Sequence, residues 1–548
     1  MVAAAVSRAR ELHRLTRWDD ACVEFLAADA DHALDAGDLE LLAEAAQLTG
    51  RQHEAASALE RAFTLRAAAA DLQAAATAAF WLYLLHTYAG EFARASGWMS
   101  RLRDLSEQLN AEEEPGWLHI AAAHRLIAQG RYDDARAELL GAVAQGRARR
   151  EVDLETFARM LIARSLLLAG RLVEGLSDMD QAMLGVTSGQ TSPRMTGVLY
   201  CAAIGTCEGD AWELARAQEW ALSLDRWMAS LRTLFGGALL DNCRVYRAAL
   251  KRRRGLLTEA KGELEEAARN LADNANGALA GHAWYELGEV HRLLGDDDAA
   301  EIAYRRAASL GAGVHPGLAL LRLRAGDTDV AATGLRRALA EATRPAERAR
   351  LLPAMVSVLV AAGSLEEAER TLVELDGVSR SMGSSALNAE LARARGELAL
   401  SSGSGEAALP DLRNAADLWR QLAAPYETAR TRVLIARACR SLGDEEGAQI
   451  ELEAARQTFA ELGARQDLDS VEIRMHTRSP MKGLSDRELQ VLRLIAAGRT
   501  NRSIASELFV SERTVHRHVS SIFDKLRVRS RAEAAAYAVE HHLLQTHV

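Results

Sequence analysis

Four side chains near the end of the chain have the chemistry to read DNA. Arg513, His516, Arg517 and Ser520 recur at helical spacing. Val515, Val519, Ile522 and Leu526 form a second, apolar stripe on the opposite side of the same helix. The major groove of DNA admits a single helix. An arginine there can donate two hydrogen bonds to guanine, and a serine or histidine can reach other base edges. A helix with an apolar back and a basic, polar front meets that requirement.

The elements that must hold this helix are legible upstream. Ser485-x-x-Glu488 forms a capping box, and Leu484 with Leu489 suits a hydrophobic staple. Leu489, Leu492, Ile495 and Ala496 continue as a helical stripe. Gly498 stops that helix. Thr500 or Asn501 caps a short second helix containing Ile504, Ala505 and Leu508. Phe509 and Val510 turn the chain, and Ser511 caps the third helix.

These residues resemble the LuxR-type helix-turn-helix domain of bacterial transcription regulators. The resemblance rests on L-S-x-R-E at 484–488, A-x-G-x-T-N-x-x-I-A at 496–505, V-S-x-x-T-V-x-x-H-V at 510–519 and K-L-x-V-x-x-R-x-E-A at 525–534. It implies that His516, Arg517 and Ser520 face the bases, with Arg513 on the same side. It places Asn501, Arg502, Thr514 and Lys525 near phosphates. His518 is read as support for the turn or a phosphate contact. His516 stands where the family often has lysine, so base preference does not transfer. A fourth helix, about 531–544, resembles the family's dimerisation helix, with Ala534, Ala535, Ala538 and Val539 allowing close approach. His541, His542 and His547 read as a solvated tail, and no metal site is expected.

Charge follows the same division. Residues 482–548 hold 11 Lys or Arg and 7 Asp or Glu, a net of +4, whereas residues 1–481 carry 55 and 69. Only the C-terminal end has the sign needed to displace counterions from DNA. The acidic remainder repels nonspecific DNA. No apolar run reaches 18 residues and the N-terminus lacks an apolar signal core, so a cytoplasmic protein without a membrane span is expected. The five cysteines are scattered and odd in number, which suits buried free thiols; only Cys201 and Cys207 are candidates for neighbours. The 62 Arg against 4 Lys read as coding bias of a G+C-rich bacterial genome.

The body is periodic. A Gly-x-x-x-x-Ala turn starts at Gly50, Gly90, Gly130, Gly255, Gly295, Gly326, Gly363, Gly403 and Gly443, with Gly175 replacing the alanine in the copy at Gly170. A degenerate copy, D-A-W-E-L-A, starts at Asp210, and T-R-W-D-D-A at Thr16 is a glycine-less one. Most intervals are near 40 residues. Glycine ends one helix, and the alanine lets the next approach it. The best copy has Trp284, Leu287, Gly288, His291, Ala300, Tyr304 and Ala307 at tetratricopeptide signature positions. The units resemble elongated tetratricopeptide repeats, whose usual period is about 34. The expected fold is therefore all-α. A tetratricopeptide-like helical-repeat solenoid fills 1–465, a linker 466–481 and the helix-turn-helix domain 482–548.

The whole chain resembles large LuxR-type regulators with such repeats. Many of those begin with a P-loop ATPase. Here no G-x-x-x-x-G-K-[ST] occurs and no Gly-Lys dipeptide exists, so neither ATP switching nor any cofactor is expected. No nucleophile elbow or H-E-x-x-H helix is present, which argues against an enzyme. The expected partners are double-stranded DNA, a second copy through the last helix, and a protein or small-molecule effector on the repeats, with RNA polymerase a further candidate. Tyr200, Trp212, Trp220, Trp227, Tyr246 and the basic run 251–254 are residues off the repeat pattern that could line an effector pocket, although the basic run reads more as a solvated helix end. The competing reading is a helical-repeat scaffold tethered to DNA by its C-terminal end.

Overall fold

The computed structural model describes residues 2–29, 34–108, 115–231, 238–272, 277–476, 484, 486–508 and 510–540. Over these residues every regular element is a helix and no strand forms. Contacts divide the chain into two units, Met1–Ala362 with Arg370–Asn388, and Gly363–Glu369 with Ala389–Val548.

In the first unit, consecutive helices pair across the predicted turns. Leu72–Tyr88 packs on Phe92–Ser106, Gly116–Ala128 on Tyr132–Arg149, and Val152–Leu168 on Leu172–Thr187. The ten turn glycines, from Gly50 to Gly443, all adopt left-handed φ between 73° and 87°. That conformation closes the preceding helix. At one turn the Gly130 amide donates to the Ile127 carbonyl at 3.0 Å, and the Arg131 amide to Leu126 at 2.9 Å. Five residues beyond each turn sits a buried small side chain, including Ala55, Ala135, Ala300 and Ala448, all fully buried. A larger residue there would hold the two helices apart.

The two irregular copies obey the same rule. Thr16 takes the left-handed position at φ 57°, and Ala21 is fully buried. The copy expected at Asp210 is displaced by two residues. Its left-handed residue is Trp212, φ 56°, and Ala217 rather than Ala215 is buried. The cause is a π-helical turn, Thr206–Asp210, inserted after the helix Pro193–Gly205. The amide of Glu213 therefore returns six residues, to the Cys207 carbonyl, rather than five.

Three further expectations change. The five cysteines are not all free: Cys201 pairs with Cys243, not Cys207, while Cys22, Cys207 and Cys439 are buried thiols. Three residues of the basic run at 251–254 are not solvated, only Arg254 being exposed. Lys251 binds Glu259 and Glu263, Arg252 binds Glu286 in the interior, and Arg253 binds Glu208. In the second unit, residues 466–476 of the expected linker are helical. Arg465–His476 is a helix packed on Glu445–Leu462, and residues 477–483 lie outside the described residues.

Two glycine substitutions separate backbone strain from packing. Gly130 has open space around a new Cβ, so Gly130→Ala costs about 1 kcal/mol, from its left-handed φ alone. A Cβ on Gly288 would lie 2.6 Å from the ring of Tyr304, which is only 1% exposed. Gly288→Ala should cost more, about 1–3 kcal/mol, despite its helical backbone. Hydrogen exchange of each hairpin in the full chain measures both, and a Gly288→Ala loss no larger than that of Gly130→Ala contradicts the packing account.

Candidate nucleic-acid interface

Four helices make up the C-terminal domain: Asp486–Ala496, Asn501–Glu507, Glu512–Leu526 and Arg531–Glu540. Their core contains Leu484, Val491, Leu492, Ile495, Ile504 and the expected stripe Val515, Val519, Ile522 and Leu526. Gly498 closes the first helix at φ 78°. Thr500, not Asn501, caps the second, its hydroxyl accepting from the Ser503 amide at 3.2 Å. Ser511 caps the third by accepting from the Thr514 amide at 3.1 Å. Ser485 and Phe509 lie outside the described residues.

The third helix therefore has a fixed back and a free front. Arg513, His516, Arg517 and Ser520 are all exposed, and none makes a side-chain hydrogen bond among the described residues. Among the described residues nothing occupies their donors. Arg502 projects beside this face, 89% exposed, with only a 3.8 Å approach to Glu512. Thr514 is half-buried, its hydroxyl 2.7 Å from that of Ser511. His518 is half-buried too. Burial lowers its pKa, which favours the neutral ring and a supporting place beside the core.

Two residues assigned to phosphates are engaged within the domain. The Lys525 ammonium donates to Glu488 at 2.7 Å. Glu488 is 4% exposed, and it also accepts from the Ser521 hydroxyl. One buried carboxylate on the first helix thus holds two turns of the third. Asn501 accepts from the Arg531 guanidinium at 2.8 Å, and Arg531 also donates to the Arg499 carbonyl. This ties the closing helix to the start of the second. Arg487 similarly donates to the Leu508 carbonyl. Glu488, Arg487 and Arg531 were visible as motif positions, but spacing alone carried no sign of these partners.

The dimerisation residues need correction. Ala534 and Ala538 are fully buried in the domain's own core, where the closing helix packs on the first. Their small size serves that internal approach. Ala535 is half-buried against the same core, and the Val539 side chain lies outside the described residues. Ala532 and Ala536 are the exposed alanines of this helix.

Removing the Lys525 ammonium takes a charged donor from the buried Glu488 carboxylate, and removing Glu488 takes the shared acceptor from Lys525 and Ser521. Glu488→Ala and Lys525→Ala should each destabilise the domain by roughly 1–3 kcal/mol. Hydrogen exchange over 486–540 reads this directly. Unchanged protection in Lys525→Ala would show that the ammonium is free for other work.

Residues 482–538 match the family described as bacterial regulatory proteins, luxR family. Residues 281–310 match the tetratricopeptide repeat. The chain is 46% identical over 65 residues to the transcriptional regulatory protein LiaR of Bacillus subtilis, a match covering 12% of this chain and 31% of that protein. It is 45% identical over 67 residues to a nitrate/nitrite response regulator protein homolog of Haemophilus influenzae, covering 12% and 32%. It is 46% identical over 70 residues to the oxygen regulatory protein NreC of Staphylococcus aureus, covering 13% and 32%. The chain thus spans about a third of the length of these relatives. The solved APC/C hetero-tetramer Cut9-Hcn1 overlaps 84% of this chain and 95% of its own at 13% identity and TM-score 0.39. With its capped turn, buried stripe and free basic front, the segment 482–538 is a DNA-binding domain of the luxR family, carried on a chain of tetratricopeptide-like helical repeats.

Proposed function

We propose that this protein is a sequence-specific transcription regulator acting in the cytoplasm of a bacterium. The observation that carries this reading is the front of Glu512–Leu526. Arg513, His516, Arg517 and Ser520 stand exposed and unbonded there, on a helix whose opposite face is fully packed. Seated in the major groove, they would meet base edges, with Arg517 suited to guanine. Arg502 and Thr514 flank them on the side of the phosphates. Lys525, Asn501 and His518 support the helix, and any backbone contact they make is secondary to that role. A homodimer on DNA through the closing helix would use its outward face, where Ala532 and Ala536 are exposed.

The repeat body is the sensing part in this reading. It carries the acidic charge, it holds most of the chain, and no P-loop supplies a nucleotide switch. Control therefore enters by binding to the repeats. RNA polymerase is a further candidate partner, whether the protein activates or represses.

Full-length protein bound to genomic fragments in a salt series tests the assignment. Arg517→Ala should lose roughly 1–3 kcal/mol of discrimination at one base position. Arg502→Ala should weaken all sequences alike and reduce the salt slope by about 1. Uniform weakening by Arg517→Ala removes it from the base-reading set. Absence of any sequence-selective, salt-sensitive binding overturns the regulator reading itself.

A further inference from the structure

Within the first unit, the inward faces of several helices leave a cavity of about 430 Å³. Its walls come from the first helices of successive pairs, from Leu72–Tyr88 to Pro345–Ala361. The π turn Thr206–Asp210 forms one side. A second cavity of about 750 Å³ adjoins it, sharing His282, Glu347 and Arg350 as wall. Both volumes fall in the range of small-molecule sites.

The charges around the first cavity do not balance. Arg164 donates to Asp210 at 3.0 Å, and Arg344 approaches the same carboxylate at 3.4 Å. Arg344 also binds Glu347 at 2.8 Å. Glu208, only 2% exposed, is shared by Arg253 at 3.1 Å and Arg350 at 3.5 Å. Four guanidiniums thus meet three carboxylates. His124 and His282 do not restore the balance, because burial lowers both pKa values, that of His124 to about 4, and leaves the rings neutral. The surplus positive charge faces the cavity, where a bound anion would neutralise it.

The remaining wall is of another kind. Tyr88, Phe157, Met160 and Tyr246 offer flat or flexible apolar surface. The buried side-chain oxygen of Asn242, in the wall, has no hydrogen-bond partner among the described residues. The π turn matters to this arrangement. It places Asp210 in the cavity wall and Glu208 buried two residues before it, each carboxylate shared between two arginines. Turns of this type recur at functional sites.

We infer that this cavity is a binding site for a small organic acid, a carboxylate on an apolar or aromatic body, with Arg350 and Arg164 receiving the carboxylate and the aromatic wall the body. Arginine pairs with a carboxylate through two parallel hydrogen bonds, which suits it over a point cation for this task. The inference rests on the reading of the repeats as the sensing body and names the ligand class that body takes.

Phenylacetate and its neutral analogue phenylacetamide are suitable probes, at millimolar concentration, on the full-length protein. Hydrogen exchange over Val152–Leu168 and Pro345–Ala361 gives the readout. Phenylacetate should protect both helices and the amide should not. Arg350→Gln and Arg164→Gln should each weaken the acid's effect roughly tenfold or more. If Arg350→Gln loses helicity, Arg344→Gln, whose guanidinium is partly exposed, carries the same comparison. The inference is overturned if the amide protects as well as the acid, if neither protects, or if the arginine variants bind the acid as the parent does. DNA binding measured on the same samples separates the two claims. Intact sequence-selective binding with no response to phenylacetate removes the cavity site alone, whereas loss of DNA binding removes the regulator reading whatever the cavity does.

Discussion

One backbone constraint underlies the whole body of this protein: a left-handed residue ends a helix, and five residues later a small side chain is buried. The first half of the rule reverses the chain. The second lets the returning helix approach closely enough to share a core. Repetition near 40 residues turns a local device into an architecture, because each hairpin buries its faces on its neighbours in sequence. Even the exceptions keep the spacing. Thr16 and Trp212 accept a backbone conformation that side chains disfavour, and Ala21 and Ala217 follow at the same distance. Packing imposes the rule, and the residue type at the turn yields to it.

Charge is handled in two ways along the chain. In the repeats most arginines are consumed internally. Arg252 and Glu286 pair in the interior, and Arg393 lies between Glu390 and Glu397. Such pairs keep the acidic body from offering a cationic face to nucleic acid. In the C-terminal domain the reverse holds on one surface. The buried Glu488 absorbs Lys525 and Ser521 behind the third helix, while Arg513 and Arg517 in front form no ion pair among the described residues. A rigid back with an unpaired basic front is the electrostatic condition for a reader that exchanges counterions for phosphates and then meets bases.

Much of this was legible in the sequence for a physical reason. Turn glycines, capping hydroxyls and apolar stripes act over a few residues, so their spacing states their role. The turn glycines, the Ser511 cap and the stripe Val515–Leu526 all fall where periodicity places them. Periodicity failed at Asp210, because the π turn shifts the following copy without leaving a composition signal. It failed at Ala534 and Ala538 because a small residue permits close approach without saying which surface approaches. It also missed the role of the run at 251–254, whose partners are Glu208, Glu259, Glu263 and Glu286.

The sequence by itself determined the all-helical repeat, its turns, and which face of Glu512–Leu526 is left exposed, since each depends on interactions between residues close along the chain. Only the tertiary structure decided which charges cancel and which remain. Arg344 meets Asp210 across 134 residues and Arg350 meets Glu208 across 142. Those meetings depend on how successive hairpins rotate against one another, and small rotations accumulate over many repeats beyond what any local motif encodes. The cavity, its surplus guanidinium and its aromatic wall are products of that accumulation.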